Sequence, residues 1–280
     1  MAMFMVKPWY KKSGGKYKGI WVPKTWQGAS ASSEPPLLVG NQIWNDGTQI
    51  YFNYAYYLYS NKISWLSDLY NKDSTFDGRY VWTDGNNIYY SNGNTHKRFI
   101  IDSRGFKFNR WNDKTWDGIT SFYGSKIWTD GDDIYYSNGN TQKVLDKSTS
   151  TWYDKTWYGL PDWLKIDGSY IWTDGENIYY TSSGTTNYVL DKATSTWSAV
   201  TCSNLGSYSD NGSYIWTDGE NIYFSRDTNQ KILDKENSTQ NYLVWQNKTW
   251  NGLTSFNRQY VWTDGENIYY SLNYDQYQLT

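Results

Sequence analysis

Six aspartates recur at one position of a repeated segment, and glycine follows each of them. A ring of carboxylates at matched positions is one way to hold a metal ion. However, Asp-Gly between two apolar runs is a strong hairpin signal, because glycine tolerates the positive φ of the turn and aspartate bonds nearby backbone N–H groups. We therefore predict that these carboxylates hold turns, with at most a loose cation site at residues 132–133. The six are Asp46, Asp84, Asp130, Asp174, Asp218 and Asp264, and a second set, Asp102, Asp146, Asp191 and Asp234, is interpreted in the same way.

The side chains that most often carry catalysis are scarce. One cysteine, Cys202, and one histidine, His96, allow neither an intrachain disulfide nor a Cys/His metal site. The sequence holds no HExxH, P-loop or CxxC segment. A sialidase-type glycosidase would need converging arginines with a tyrosine and an acid, whereas the arginines here fall at different repeat positions. We predict that the protein is not an enzyme and needs no metal or other cofactor. The arginines are Arg79, Arg98, Arg104, Arg110, Arg226 and Arg258.

The aromatic content points to β-structure. Of 280 residues, 18 are tryptophan and 29 are tyrosine, yet the mean hydropathy is −0.82. Aromatic side chains suit pleated, half-buried strands, and the abundant Asn, Asp, Ser, Thr and Gly suit turns. We therefore expect many short strands joined by many turns.

An internal repeat predicts the architecture. A segment of the form IWTDGENIYYT, as at residues 171–181, occurs six times, with a degenerate first copy. Its leading tryptophans are separated by 38, 46, 44, 44 and 46 residues, the length of one four-stranded propeller blade. Each copy predicts two strands around an Asp-Gly turn, then a third strand, then a fourth that begins at another tryptophan. The leading tryptophans are Trp44, Trp82, Trp128, Trp172, Trp216 and Trp262.

The two ends of the chain complement each other. Fourth strands carry a tryptophan followed five residues later by a second aromatic, and Trp21 and Trp26 form such a pair with no hairpin before it. The last repeat runs out after three strands. We predict that residues 17–28 complete the blade of residues 260–280, which closes the ring and removes free sheet edges. The expected fold is all-β: a six-bladed β-propeller at residues 17–280, preceded by a basic N-terminal arm at residues 1–16.

The segments LDKSTSTW (residues 145–152) and LDKATSTW (residues 190–197) resemble the kelch repeat, in which a third strand ends in aspartate and a tryptophan opens the fourth. The resemblance covers residues 17–280 and implies kelch-like four-stranded blades. The chain departs from the kelch pattern after the second strand, where Ser-Asn-Gly at residues 91–93 and 137–139 replaces Gly-Gly. Membership of the kelch family itself does not follow.

Two further motifs are similar to segments of bacteriophage structural proteins. They are the repeat WTDGxNIYYS and the leader KPWYKKSGGKYKGIWV at residues 7–22. The resemblance implies a virion protein, in a tail, a fibre or attached to the capsid, that is made in the host cytoplasm. A bacterial sugar-binding lectin and a cytoplasmic kelch-type adaptor for protein–protein interaction are the alternatives.

Charge is uneven along the chain. The net charge of −2 argues against a nucleic-acid partner, and no apolar run is long enough for a membrane helix or a signal-peptide core, so we expect no membrane insertion. The N-terminal region is basic up to the first acid, Glu34, so we expect the arm to bind other virion proteins. The lysines of the first 24 residues are Lys7, Lys11, Lys12, Lys16, Lys18 and Lys24.

Binding is expected on one face of the propeller. The turns between the first and second strands of a blade and between its third and fourth strands share one face, and their sequence is nearly uniform. The turns between the second and third strands and the loops between blades share the other face, and their sequence varies. Specificity usually lies in variable loops on a regular scaffold, so this variable face is predicted to bind another protein, or a receptor or glycan of the host surface. Trp163, in the loop at residues 159–169, is the expected anchor; the alternative is that it packs back onto the core. The other candidate binding residues are His96, Arg98, Arg226, Asn187 and Tyr277.

Overall fold

The computed structural model describes twelve stretches of the chain, and within them the protein is all-β, with short 3-10 turns and no α-helix. The predicted arm at residues 1–16 lies outside the described residues. Backbone contacts divide the described chain into a first unit, Lys126–Gln259, and a second unit formed by residues 20–125 with Tyr260–Thr280. The described stretches are residues 20–24, 38–39, 43–45, 50–54, 57–61, 65–68, 77–100, 110–183, 186–205, 211–263, 267–273 and 275–280.

Short strands follow one another along these stretches, as the many turns predict. They are β1 (Trp21–Pro23), β2 (Leu38–Val39), β3 (Ile43–Asn45), β4 (Ile50–Tyr54), β5 (Tyr57–Asn61), β6 (Trp65–Asp68), β7 (Val81–Thr83), β8 (Ile88–Gly93), β9 (Thr95–Ile100), β10 (Arg110–Asp113), β11 (Phe122–Tyr123), β12 (Ile127–Thr129), β13 (Ile134–Asn138), β14 (Thr141–Asp146), β15 (Thr151–Asp154), β16 (Ile171–Thr173), β17 (Ile178–Ser183), β18 (Thr186–Asp191), β19 (Thr196–Ser203), β20 (Ile215–Thr217), β21 (Ile222–Arg226), β22 (Asn229–Leu233), β23 (Tyr242–Asn247), β24 (Val261–Thr263), β25 (Ile268–Asn273) and β26 (Asp275–Leu279).

The second unit contains three antiparallel sets of four strands. One has the order β3-β4-β5-β6, and another has β7 to β10 in sequence with β11 added on β8. The third joins the chain ends: β24, β25 and β26 pair in sequence, β1 pairs with β26, and β2 pairs with β25. In the β1–β26 pair, Trp21 lies opposite Leu279 and Pro23 opposite Tyr277. The N-terminal strand therefore completes the last repeat, as the repeat pattern predicts.

The first unit contains three more sets, β12–β15, β16–β19 and β20–β23, each antiparallel in sequence order. The last two are joined because β19 runs on to Ser203 and pairs in parallel with β23, with Cys202 opposite Leu243. A Lys-Thr-Trp segment follows the fourth strand at residues 114–116, 155–157 and 248–250. The repeat of β19 lacks this segment, and there the extended strand links the neighbouring sheets.

Five leading tryptophans, those from Trp82 to Trp262, form the cores of their hairpins. Each donates its indole N–H to a serine or threonine hydroxyl nine residues on, and each packs against the tyrosine seven residues on. Such aromatic pairs add roughly 0.5–1.5 kcal/mol beyond simple burial, and the hydrogen bond spares the indole the cost of an unpaired buried donor. The bonds join Trp82 to Ser91 (3.0 Å), Trp128 to Ser137 (2.9 Å), Trp172 to Thr181 (3.0 Å), Trp216 to Ser225 (2.9 Å) and Trp262 to Ser271 (2.8 Å).

A short 3-10 turn leads into each of the strands β7, β12, β16, β20 and β24, and at three of these turns a glycine packs closely on the lead-in turn of the preceding repeat. A Cβ at Gly168 would lie 2.0 Å from the carbonyl oxygen of Lys126, and one at Gly212 would lie 2.0 Å from that of Tyr170. The contact recurs in the second unit, where a Cβ at Gly124 would lie 2.1 Å from the carbonyl oxygen of Tyr80. Within the first unit, the strands β12, β16 and β20 therefore begin side by side.

Candidate binding surface

The aspartates of the hairpin turns are committed to the turns themselves. In the repeat of Asp174, Oδ1 accepts the backbone N–H groups of Glu176 (2.9 Å) and Asn177 (2.7 Å), and Oδ2 accepts the Tyr179 hydroxyl (3.0 Å). Burial and this carboxylate raise the pKa of Tyr179. The same three bonds recur at Asp84, Asp130 and Asp218, so the turn interpretation is confirmed there. Asp46 and Asp264 lie outside the described residues.

One residue of the predicted loose cation site is also bonded within its turn. Asp133, half of the predicted loose site, donates its backbone N–H to Asp130 and accepts the Tyr135 hydroxyl at 3.3 Å. Among the described residues, no group of three or more His, Cys, Asp or Glu side chains could hold a metal ion. The turns also engage lysines of the LDK segments, since Lys147 and Lys235 donate to the carbonyl oxygens of Asp132 (3.2 Å) and Glu220 (2.7 Å).

The Lys-Thr-Trp segments at residues 114–116, 155–157 and 248–250, here called plugs, stack on the cores of their repeats, a role that was not predicted from the sequence. The tryptophan of each plug packs on the leading tryptophan of its repeat, and the lysine ammonium lies over the outer ring, as cation–π contacts require. The recurrence of Lys-Thr-Trp was the available signal. The tryptophan pairs are Trp116–Trp82 (5.4 Å), Trp157–Trp128 (5.4 Å) and Trp250–Trp216 (5.7 Å); Nζ lies above the ring at 4.5 Å for Lys114, 4.8 Å for Lys155 and 4.7 Å for Lys248.

Two predicted binding residues are interior residues. His96 is 9% exposed and stacks on Phe122 with ring centroids 4.4 Å apart, and its Nε2 lies 3.2 Å from the Thr120 carbonyl. Asn187 is 3% exposed and lies within β18, with Val200 opposite on β19. The expectation that these two contribute to a variable binding face is therefore wrong. Both follow a second–third turn, but their side chains point into the sheet packing rather than into solvent.

The remaining polar candidates are scattered. Arg98 is exposed on β9, opposite Tyr89 and Asn112. Arg226 ends β21, with its guanidinium 5.4 Å from the Tyr214 ring. Tyr277 is half-buried on β26, and its ring lies 6.3 Å from that of Tyr270. They belong to three different sheets, and within neither unit does the structure bring two of these candidates together.

Trp163 is the prominent surface residue of the predicted set. Its side chain is 73% exposed, whereas Leu164 and Ile166 beside it are 8% and 1% exposed. A turn bond from Leu164 N–H to the Pro161 carbonyl (2.9 Å) and a bond from Gln142 to the Ile166 carbonyl (3.0 Å) hold the loop in place. Leu164 and Ile166 therefore fill the core edge, and the alternative core role of Trp163 is not observed.

Further exposed aromatics precede Trp163 on the same stretch of chain. Tyr153 on β15 is 54% exposed, and Tyr158, which directly follows the plug at residues 155–157, is 59% exposed. The backbone of Tyr158 is held at both ends, since its N–H donates to the Ser195 carbonyl (3.0 Å) and its carbonyl accepts from Trp197 (2.9 Å). The sequence analysis missed both tyrosines, because tyrosine is so common in the repeat that these two do not stand out.

No family model and no curated protein sequence matches the chain. The solved structures that are similar in fold include two from B. thetaiotaomicron. The extracellular domain of the hybrid two-component system BT3049 is 12% identical over 87% of this chain and 40% of that chain, with a TM-score of 0.50. That of the hybrid two-component system BT4673 is 11% identical over 86% and 32%, also with a TM-score of 0.50.

The chain thus spans less than half the length of either matched chain, and at these identities the likeness supports the β-rich fold alone. It does not bear on the predicted kelch character or virion origin. Within the described residues, no helix has the length and apolar character needed to cross a membrane.

Proposed function

We propose that residues 17–280 form a single six-bladed, kelch-like β-propeller closed by β1. Six antiparallel sets of four strands within the described residues support this, because each corresponds to one copy of the repeat. The β1–β26 pairing supports closure, since it gives the three-stranded last repeat its fourth strand. The glycine contacts between successive lead-in turns are those expected of inner strands arranged in series. A density map of the intact protein with five or seven blades would contradict this proposal.

The propeller is, in this proposal, a non-enzymatic binding module of a bacteriophage virion whose contact surface is centred on Trp163. The observation that carries the binding role is that Trp163 is 73% exposed on a loop that Leu164 and Ile166 anchor. A flat aromatic held on a fixed loop suits the face of a sugar ring or an apolar protein surface, and interface energy concentrates on such residues. The virion assignment rests on the similarity of the repeat and leader motifs, and the basic arm is its proposed attachment to other virion proteins.

The binding role can be tested by capture of the purified full chain on host-cell envelopes and on a glycan array. Trp163→Ala should weaken capture at least tenfold and leave the melting temperature unchanged, while Tyr242→Ala, another exposed aromatic of the first unit, should leave both unchanged. Leu164→Ala should lower the melting temperature, because Leu164 is buried. Capture that is unaffected by Trp163→Ala would refute the anchor, and absence of the protein from particles in immunogold micrographs would refute the virion assignment.

A further inference from the structure

We propose that His96 is an acid-sensitive latch that holds the segment at residues 114–122 against the second sheet of the second unit. The inference does not depend on the proposed binding function. One position on the third strand lies directly opposite the hydroxyl that accepts the indole N–H of the leading tryptophan. His96 occupies this position opposite Ser91, Gln142 opposite Ser137, and Gln230 opposite Ser225.

The glutamines show what this position does. Gln230 donates through Nε2 to the carbonyl oxygens of Asp227 (2.6 Å) and Phe256 (3.0 Å), and so ties the turn before its strand to the segment that follows the fourth strand. Gln142 makes the same pair of bonds, to Gly139 (2.8 Å) and Ile166 (3.0 Å). In these two repeats the position therefore ties a sheet to the segment leading out of it.

His96 makes the corresponding tie with a group that titrates. Its Nε2 lies 3.2 Å from the Thr120 carbonyl, and since a carbonyl only accepts, Nε2 carries the hydrogen. The His96 carbonyl accepts the Lys114 N–H at 3.0 Å, and the His96 ring stacks on Phe122. His96 on β9 therefore contacts the segment at both of its ends, Lys114 and Phe122. Nδ1 is buried and has no hydrogen-bond partner. Protonation at Nδ1 would place an unpaired positive charge in this packed site.

The surrounding charges do not compensate such a cation. The charged residues on the packed elements are Lys97 and Arg98 on β9, Arg110 and Asp113 on β10, and Lys114 and Asp117 on the segment. Asp113 pairs with Lys97 at 2.7 Å, and both acids are exposed. Burial lowers the pKa of His96, and only the Thr120 carbonyl opposes that effect. A histidine whose pKa is lower when the latch is closed stabilises the closed form fully above about pH 6.5, and this stability is lost as the pH falls below that value.

The chain has one histidine, so its ring can be titrated directly by NMR in the full-length protein. We expect a pKa below about 6.5. Hydrogen exchange of residues 114–122, measured relative to residues 250–256 to cancel the intrinsic pH dependence, should accelerate between pH 7.5 and pH 5. The relative acceleration should not exceed about tenfold for each unit by which the NMR pKa lies below 6.5.

Matched variants separate the latch from general acid sensitivity. His96→Gln installs the residue that stands at this position as Gln142 and Gln230, and it should abolish the relative acceleration while keeping the segment protected. Gln230→His should transfer the acid sensitivity to residues 250–256. A His96 pKa at or above 6.5, or an acid response of residues 114–122 that persists in His96→Gln, would overturn the proposal even if Gln230→His failed to fold.

Discussion

Trp128 donates its indole N–H to the Ser137 hydroxyl across 2.9 Å, in a site where Trp128 is 4% exposed and Ser137 is fully buried. Five described repeats contain this bond, four with serine and one with threonine. Removing the hydroxyl leaves a buried donor that water cannot reach, and such a group costs more than the net value of an ordinary hydrogen bond.

Ser137→Ala should therefore lower the free energy of unfolding by about 1–3 kcal/mol. Ser137→Thr should cost less, because Thr181 accepts the same bond from Trp172 at 3.0 Å. Urea denaturation followed by tryptophan fluorescence measures both changes. Equal loss in the two variants would show that packing volume, rather than the hydroxyl, stabilises the site.

Gly168→Ala should destabilise the protein by about 1–3 kcal/mol through overpacking. The added Cβ would lie 2.0 Å from the Lys126 carbonyl oxygen, and the neighbour is backbone, which cannot rotate away. The φ of Gly168 is outside the left-handed region, so the cost comes from the close approach alone. Ser198→Ala, at an exposed site on β19, serves as the control in thermal unfolding. An unchanged melting temperature for Gly168→Ala would contradict the close packing of the lead-in turns.

Cys202 should be unreactive in the native protein near pH 8. Burial raises the pKa of its thiol to about 12, whereas an unfolded cysteine has a pKa of about 8.5. Since the thiolate is the reactive form, labelling with a disulfide reagent should be slow in buffer and fast in urea. Comparable rates in the two conditions would show that the β19–β23 junction opens readily.

Deletion of residues 1–28 should yield an aggregating protein, because it removes β1 and leaves β26 as an unpaired edge beside a three-stranded set. Deletion of residues 1–12 leaves β1 in place and should give a folded protein. Size-exclusion chromatography and circular dichroism compare the two truncations. A monomeric, fully stable product from the longer deletion would argue against the closing role of β1.

Local chemistry explains which features could be predicted. Asp-Gly turns depend on the aspartate, the glycine and the next few backbone N–H groups, so the hairpins at Asp84, Asp130, Asp174 and Asp218 follow from short segments alone. The pairing of β1 with β26 joins residues at opposite ends of the chain, yet it was also predictable. The reason is that the repeat supplies an internal template in which a missing fourth strand and an orphan strand can be matched.

The environments of the side chains at the variable positions could not be predicted from the sequence. His96 follows a turn of variable sequence, which predicts a surface position, but its environment is set by Thr120 and Phe122, more than twenty residues along the chain. In the loop of Trp163, only the packed structure shows that Leu164 and Ile166 fill the core edge and leave the tryptophan in solvent. The sequence by itself determined the strands, their turns and the pairing of the chain ends, because these follow from local turn chemistry repeated at a regular interval. Which variable residues are buried and which are exposed was decided by the tertiary structure, because burial depends on contacts with distant segments that the repeat pattern does not encode.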